Sequence, residues 1–249
     1  VDFALSCSFS LLKYSNFISF CEHSVGTREG PTATLFKESA RTLDSGATLS
    51  PVNVGYETYG TLNADRSNAI LICHALTMDQ YVASTHPITG KPGWWERIVG
   101  PGKILDTDKY FVVCSNVLGS CLGSTGPWED NPETGEPWGL DFPVITIRDM
   151  VRTQAALLDH LGVGKLFCAV GGSMGGMQVL EWLTTYPERL HSCIILAAAA
   201  RHTAQNLSLI HLRRCRRRGE CRSRWSPSDY RKQQYHHTVH DILSLKSYN

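Results

Sequence analysis

The 249-residue sequence has no long hydrophobic run, no internal repeat and a modest share of charged residues. No apolar stretch approaches the roughly 20 residues that cross a bilayer as a helix. The histidines and cysteines do not fall at the spacings typical of zinc ligands. From these absences we predict a protein without a membrane span, without repeat architecture and without a bound metal ion.

The composition is that of a globular protein with one large core. Hydrophobic residues make up 42% of the chain and charged residues 19%, and this length suits a single α/β domain better than two compact ones. Of the nine cysteines, four lie in or beside predicted buried strands, where a free thiol behaves as a small hydrophobe: Cys73, Cys114, Cys168 and Cys193. We therefore expect reduced cysteines and a cytoplasmic protein.

The charge is divided unevenly along the chain. Residues 1–200 hold 13 Lys and Arg against 20 Asp and Glu, whereas residues 201–249 hold 11 against 3. At the other end, residues 1–50 begin without an initiator Met and are rich in Ser and Phe. Asp2 and the shortage of basic residues disfavour a targeting peptide there. We predict a partly disordered leader over residues 1–50.

Strand and helix patterns alternate between Pro51 and Ala200. Five apolar or alternating runs predict strands: VNVGYETYG, AILICHAL, KYFVVCSNVLG, LFCAV and SCIILAAAA. A helix is predicted after Thr146, which forms a capping box with Asp149, and it closes at Gly162. A second helix is predicted over MQVLEWLTTY. This alternation predicts an α/β fold with a mostly parallel, doubly wound sheet.

A serine with glycines on both sides lies where the fourth of these strands becomes a helix. The stretch Gly171-Gly172-Ser173-Met174-Gly175 matches the G-x-S-x-G nucleophile elbow. In an elbow the serine has a strained backbone, and glycines let strand and helix approach closely. Glycine-rich turns of this kind also occur for packing alone. We favour Ser173 as a nucleophile over that interpretation.

An elbow serine needs main-chain donors for the oxyanion that develops during acyl transfer. The N–H of Met174 and the positive end of the following helix are one source. A second donor usually comes from the loop after an earlier strand, and CHALT stands at that place, so Leu76 is our candidate. For His74, in the same segment, we favour a core or loop-bracing role over a catalytic one.

Two long loops rich in Gly, Pro and Trp follow the second and third predicted strands. They hold four tryptophans: Trp94, Trp95, Trp128 and Trp138. Long ordered loops at the carboxyl edge of a sheet tend to be functional. The indole rings can contact substrate and exclude water, or they can pack the loops down, and the sequence does not favour either role.

These motifs together resemble the homoserine O-acetyltransferases of methionine biosynthesis. The resemblance runs from about Pro51 to Asn206 and is carried by these segments: NVGYETYGTLN, ILICHALT, YVASTHPITGKPGWW, GPGKILDTDKYFVVCSNVLGSCLGSTGP, DFPVITIRDMVRTQ, VGGSMGGMQVLEW and AARHTAQN. It implies an α/β-hydrolase fold, no bound cofactor, acetyl-CoA as co-substrate and L-homoserine as acceptor, with a homodimer as the assembly. Ser173 matches the nucleophile, and Leu76 and Met174 match the oxyanion-hole amides. Where family members have Gly, this chain has Met78.

The family pattern stops near Asn206, before the Asp and His that complete the catalytic triad in the family. We therefore interpret residues 51–206 as the N-terminal part of the acyltransferase domain, with the C-terminal part of the fold missing. The basic tail, residues 207–249, has three interpretations. It is a nucleic-acid-binding or targeting tail, or a divergent end with a rebuilt triad, or a frameshifted end, which we favour. A rebuilt triad would draw on His236, His237 or His240 with Asp229 or Asp241.

Three functional alternatives stand beside homoserine O-acetyltransferase. They are a catalytically inactive fragment, a serine esterase of the same fold, and a homoserine or serine O-succinyltransferase. Because no aromatic residues interleave with the arginines of the tail as in known nucleic-acid-binding modules, we expect no specific nucleic-acid partner.

Overall fold

The structure is a computed structural model that describes residues 30–200. The predicted leader up to residue 29 and the predicted basic tail lie outside the described residues. Ten strands and two α-helices are described: β1 Thr32–Leu35, β2 Arg41–Thr42, β3 Thr48–Leu49, β4 Val52–Tyr59, β5 Ala69–Cys73, β6 Val99–Gly100, β7 Leu105–Asp106, β8 Phe111–Ser115, α1 Ile147–His160, β9 Leu166–Gly172, α2 Met174–Thr185 and β10 Leu190–Leu196. Within residues 30–200, no helix is both long and apolar enough to cross a membrane.

A six-stranded sheet organises the described residues in the order β1-β4-β8-β5-β9-β10. β4 pairs antiparallel with both β1 and β8. The pairs β8 with β5, β5 with β9, and β9 with β10 are all parallel. The predicted mostly parallel α/β sheet is therefore confirmed, with antiparallel strands at one side.

The two faces of the sheet are covered in different ways. Side chains of β5 alternate between them: Leu71 belongs to the cluster formed with α1 and α2, whereas Ile70 and Ile72 belong to the opposite cluster. That opposite cluster is completed by Val82, Val99 and partly buried loop residues. Among the described residues both helices therefore pack on one face, and the long loop after β5 covers the other.

Ordered structure begins upstream of Pro51, which corrects the predicted leader. β1 pairs with β4 by aligning Ala33 with Val54, and the small β2–β3 hairpin follows it. Ala33, Leu43 and Leu49 are buried in a shared cluster with β4. The signal was weak because β1 has four residues and β2 and β3 have two each, too few for a clear alternation.

The predicted start of α1 is confirmed in atomic detail. Thr146 Oγ1 accepts a hydrogen bond from the Asp149 N–H at 3.1 Å, and an Asp149 carboxylate oxygen accepts one from the Thr146 N–H at 3.1 Å. Gly162, just after the helix, has a φ of 74°, a conformation that favours glycine. The capping box therefore satisfies the donors at the beginning of α1 with its own side chains.

The cysteines in the predicted buried strands are free thiols. Cys73, Cys114 and Cys168 are buried, and Cys193 is half-buried. Burial raises the pKa of the Cys73 thiol to about 12, so this side chain stays neutral and packs as a small hydrophobe.

Candidate active site

Ser173 lies alone between the last residue of β9 and the first residue of α2. Its backbone has φ 57° and ψ −120°, a sparsely populated conformation for any residue with a side chain. The Ser173 N–H donates a hydrogen bond to the Leu196 carbonyl on β10 at 3.0 Å, which holds the strained residue in place. The residue is exposed to solvent. This is the geometry that an exposed nucleophile requires.

The glycines around Ser173 are not equivalent. A Cβ at Gly171 would lie 2.3 Å from the Gly175 carbonyl oxygen, and a Cβ at Gly175 would lie 2.0 Å from the Cys73 carbonyl oxygen. At Gly172 the nearest atom, the Leu196 oxygen, is 3.8 Å away, an ordinary contact. The two glycines that the G-x-S-x-G pattern specifies are thus the ones that the close approach of β5, β9 and α2 requires.

The first turn of α2 has main-chain donors but no side-chain cap. The Ser173 side chain caps no N–H of the helix, and no residue of the described part hydrogen-bonds to its hydroxyl oxygen. Met174 is the first residue of α2, so its N–H has no acceptor within the helix. An anion beside Ser173 would meet both this donor and the positive end of the helix dipole.

Leu76 lies at the same edge of the sheet as Met174. β5 and β9 are parallel neighbours in which Cys73 aligns with Gly171, and each candidate donor follows its aligned strand residue by three positions. The first turn of α2 contacts the end of β5, since Gly175 approaches the Cys73 carbonyl. The structure therefore brings the three predicted site residues, Ser173, Met174 and Leu76, to one edge.

The long loop after β5 begins with a tight turn. Met78 N–H donates to the Ala75 carbonyl at 3.0 Å, which makes Leu76 and Thr77 the central residues of the turn. The Leu76 side chain is 71% exposed. Met78, at the position where the family has Gly, is not among the residues with positive φ, so its side chain introduces no backbone strain.

His74 is buried and braces the loop, the role that its sequence context favours. It is 1% exposed, and its ring joins the loop after β5 to the segment after β8. Nδ1 lies 2.8 Å from the Ala75 carbonyl oxygen, and Nε2 lies 3.2 Å from the Val117 nitrogen. Burial lowers the pKa of His74, although the Ala75 carbonyl and Asp79 oppose that change. The ring is therefore neutral near pH 7.

The four loop tryptophans pack against their own loops and the core. The indole N–H of Trp94 donates to the Asp79 carbonyl at 3.0 Å, and that of Trp128 donates to the Ser120 carbonyl at 3.2 Å. Ring contacts involve the other two: Trp95 with Trp94 at 5.1 Å between centroids, and Trp138 with Phe142 at 6.0 Å. These contacts favour the loop-packing role. A contact with substrate stays a prediction.

A buried polar network lies under the site and was not predicted from the sequence. Gln154 on α1 and Gln178 on α2 are joined by a 2.7 Å hydrogen bond, and Trp182 Nε1 donates to Gln154 at 2.8 Å. Gln178 Nε2 also lies 3.5 Å from the His74 carbonyl oxygen. Glutamine at buried helix positions was the available signal, because a buried amide requires partners. The network connects both helices to the loop after β5.

A general base and a metal centre are not found in the part of the chain that the structure describes. Neither a histidine nor a carboxylate there hydrogen-bonds to Ser173, and no group of three metal-ligating side chains is placed to hold an ion. The tail residues considered for a triad, His236, His237 and His240 with Asp229 or Asp241, lie outside the described residues.

The fold and the elbow agree with what the chain matches among known proteins. The family model of the α/β-hydrolase fold matches residues 68–219, which is more than half of the chain. The chain therefore belongs to the α/β-hydrolase family. Within that family it is similar to a homoserine O-acetyltransferase of Rhodopseudomonas palustris (strain HaA2), with 66% identity over 172 residues. The resemblance inferred from the motifs is confirmed.

Two solved structures are also similar to this chain. The structure of esterase E22 matches with a TM-score of 0.67 and 36% identity over 73% of this chain and 50% of that one. Homoserine O-acetyltransferase from Bacillus anthracis matches with a TM-score of 0.64 and 36% identity, over 70% of this chain and 48% of that one. The match to the R. palustris relative covers 69% of this chain and 43% of that protein. The chain thus spans less than half the length of the curated relative.

Proposed function

We propose that this chain carries the nucleophile and oxyanion donors of an acyltransferase that moves an acetyl group from acetyl-CoA to the hydroxyl of L-homoserine. The observation that carries the proposal is Ser173, exposed in an elbow conformation at the uncapped beginning of α2. The names of the similar proteins supply the transfer of acetyl to homoserine, and acetyl-CoA as the donor comes from the family resemblance. A place in methionine biosynthesis, which the family resemblance implies, and a cytoplasmic location, expected from the reduced cysteines, belong to the same proposal.

The proposed reaction has two half-reactions. The Ser173 oxygen attacks the thioester carbonyl, its proton passes to a general base, and the carbon–sulfur bond breaks to release CoA. The homoserine hydroxyl then gives its proton to the base and attacks the acyl-serine, the ester bond to Ser173 breaks, and the base returns the proton to the Ser173 oxygen. In both tetrahedral intermediates the N–H groups of Met174 and Leu76 would stabilise the oxyanion. We place the base outside residues 30–200.

A serine esterase is the second candidate. The likeness to esterase E22 favours it, because an acyl-enzyme that meets water before the acceptor is hydrolysed. A transferase must hold its acceptor close and exclude water. The two functions therefore differ in the second half-reaction and share the first. A succinyl donor in place of acetyl is a third outcome that the same assay separates.

The test uses an extended protein, in which residues 1–200 of this chain are continued by the corresponding remainder of the R. palustris relative. Release of the CoA thiol is followed with acetyl-CoA or succinyl-CoA, with and without L-homoserine. We expect release that requires acetyl-CoA and homoserine and that falls by several orders of magnitude in Ser173→Ala. Acetyl-CoA consumption without homoserine would favour the esterase. Undiminished turnover in Ser173→Ala would contradict the assignment of the nucleophile.

The 249-residue chain itself gives a matched comparison. Oxyanion donors alone leave a residual rate above that in water, so we expect slow acylation by acetyl-CoA at most. Robust homoserine-dependent release by this chain would mean that its own tail supplies a base. His236, His237 and His240 would then be the residues to replace.

A further inference from the structure

The peptide group that joins Ala75 and Leu76 is held from its carbonyl side. The Ala75 oxygen lies 2.8 Å from His74 Nδ1 and accepts a second hydrogen bond from the Met78 N–H at 3.0 Å. The N–H of this same peptide group belongs to Leu76, the candidate oxyanion donor. Whatever fixes the Ala75 carbonyl therefore fixes the direction of the Leu76 N–H.

The hydrogen bonds of His74 define its tautomer. The Val117 N–H is a donor, so Nε2, 3.2 Å away, must accept. The proton of the neutral ring is then on Nδ1, where it is donated to the Ala75 carbonyl. Protonating Nε2 would remove the acceptor from Val117 and bury a charge at a residue that is 1% exposed. Both ring nitrogens are thus committed to the main chain.

The geometry of the peptide directs the Leu76 N–H outward. In a trans peptide the carbonyl and the N–H point in opposite directions, so the N–H points away from the His74 ring. Leu76 is the second residue of the turn closed by Met78, and the N–H at that position takes no part in the closing hydrogen bond. No other residue in the described part of the chain accepts a hydrogen bond from it.

The same arrangement strengthens the donor. Hydrogen bonds in a chain polarise one another, and the effect is larger in a buried setting. The chain here begins at the Val117 N–H, passes through the imidazole to the Ala75 carbonyl, and ends at the Leu76 N–H. Two donors on the Ala75 oxygen withdraw electron density from the peptide, which makes the Leu76 N–H a better partner for an anion.

We propose that His74 is a positioning residue for the oxyanion hole: it orients and polarises the Ala75–Leu76 peptide so that the Leu76 N–H donates to the oxyanion at Ser173. The proposal rests on the proposed function, because it requires an oxyanion at Ser173. In this role His74 moves no proton during the reaction and does not contact substrate. A role as general base is excluded by the occupied Nε2.

Two amide substitutions separate the two hydrogen bonds of His74. The side-chain amide of Asn reaches the Nδ1 position, so His74→Asn keeps a donor for the Ala75 carbonyl and loses the acceptor for Val117. The amide of Gln reaches the Nε2 position, so His74→Gln keeps that acceptor and loses the donor to Ala75. Each variant loses one buried hydrogen bond, so we expect similar decreases in thermal stability. Only His74→Gln should weaken the oxyanion donor.

The probe is phenylboronic acid, added to the extended protein, whose remainder from the R. palustris relative continues the fold beyond residue 200. The Ser173 oxygen bonds to boron, its proton goes to solvent, and the resulting tetrahedral anion carries an oxygen at the oxyanion position. The amide proton of Leu76 is followed by NMR together with the boron signal and the imidazole nitrogens. In the unmodified chain and in His74→Asn we expect a downfield shift of the Leu76 amide proton when the adduct forms. In His74→Gln we expect a smaller shift and roughly tenfold weaker binding of the probe.

A second buried histidine provides the matched control. His86 is 6% exposed, and its Nδ1 accepts from the Ile88 N–H at 3.2 Å in a different part of the loop. His86→Gln should lower thermal stability and leave the Leu76 amide shift unchanged. If His86→Gln and His74→Gln reduced the shift equally, the effect would be structural and the inference would be wrong.

The remaining outcomes separate the inference from the proposed function. A boron adduct at Ser173 without any shift of the Leu76 amide would overturn the inference and leave the nucleophile intact. Imidazole nitrogen signals that place the proton on Nε2 of His74 in the protein without the probe would overturn the inference, even if the boron adduct forms at Ser173. An unmodified Ser173 under conditions where the chain is folded would contradict the proposed function and the inference with it.

Discussion

The two α-helices of the structure begin in opposite ways. At the start of α1, Thr146 and Asp149 exchange hydrogen bonds in a complete capping box. At the start of α2, Ser173 has a positive φ and caps nothing. The Asp149 side chain also accepts from the Asp44 N–H at 3.1 Å, which ties α1 to the β2–β3 hairpin. Side chains of the protein satisfy N–H donors at the start of α1, and no side chain in the described part of the chain does so at the start of α2.

The two helix starts therefore have different roles, one in stability and one in binding. Donors that a side chain already satisfies contribute to stability and are not accessible to a ligand. Donors in an uncapped first turn that follows an exposed residue favour an anion from outside. The strain at Ser173 costs stability, and tight glycine contacts and the hydrogen bond to Leu196 maintain it. The conformation at the start of α2 therefore lowers stability and provides a position where an anion can bind.

The largest expected effect comes from filling the contact that allows this arrangement. In Gly175→Ala the new Cβ would lie 2.0 Å from the Cys73 carbonyl oxygen. The backbone fixes the position of the Cβ, and the Cys73 oxygen is a main-chain atom, so neither can move alone. We expect a loss of at least about 3 kcal/mol in the free energy of unfolding, or failure to fold. Urea denaturation followed by circular dichroism measures it.

Gly172→Ala is the matched control for that prediction. Its nearest neighbour would be 3.8 Å away, and we expect a change within about 0.5 kcal/mol. Equal destabilisation by the two variants would mean that the close approach of β5 and α2 does not determine where glycine is needed.

A smaller effect distinguishes the two N-cap residues directly. Thr146→Ala removes the cap of α1, so we expect the free energy of unfolding to fall by about 1 kcal/mol. Ser173→Ala removes no cap, and we expect a change near zero. Ser173→Gly relieves the positive φ and should stabilise the protein by up to about 1 kcal/mol. Thermal and urea unfolding of the three variants test this order. Destabilisation by Ser173→Gly would contradict the strain that we assign to the elbow.

The smallest expected effect is the pH dependence contributed by His74. Because burial lowers its pKa below the ordinary value of 6.5, the unfolded chain takes up a proton in acid while the folded protein stays neutral. The contribution of the neutral His74 to the free energy of unfolding is therefore fully present above about pH 6.5 and is lost progressively below it. We expect His74→Gln to lose less stability than the unmodified chain between about pH 7 and 5.5. The other histidines are common to both proteins, so an identical pH dependence would contradict a buried neutral His74.

The sequence predicted the elbow, the capping box and five of the six strands of the main sheet because each depends on local chemistry. Glycine spacing around Ser173 and the Thr146–Asp149 pair are signals within a few residues. The β1 strand and the covering of the second sheet face by a loop depend on distant partners, which no local pattern specifies. The sequence placed Leu76 in the loop after β5. The hydrogen bond from Val117 to His74 crosses 43 residues and was accessible only from the structure.

Location of the acetyl group after reaction with acetyl-CoA tests the central claim most directly. The extended protein is mixed with acetyl-CoA without homoserine, quenched in acid and digested, and the acetylated peptide is identified by mass spectrometry. We predict one acetyl group on the peptide that contains Ser173, removed on addition of L-homoserine and absent from Ser173→Ala. Acetyl on another residue, or persistent labelling of Ser173→Ala, would contradict the claim that the uncapped start of α2 carries the nucleophile.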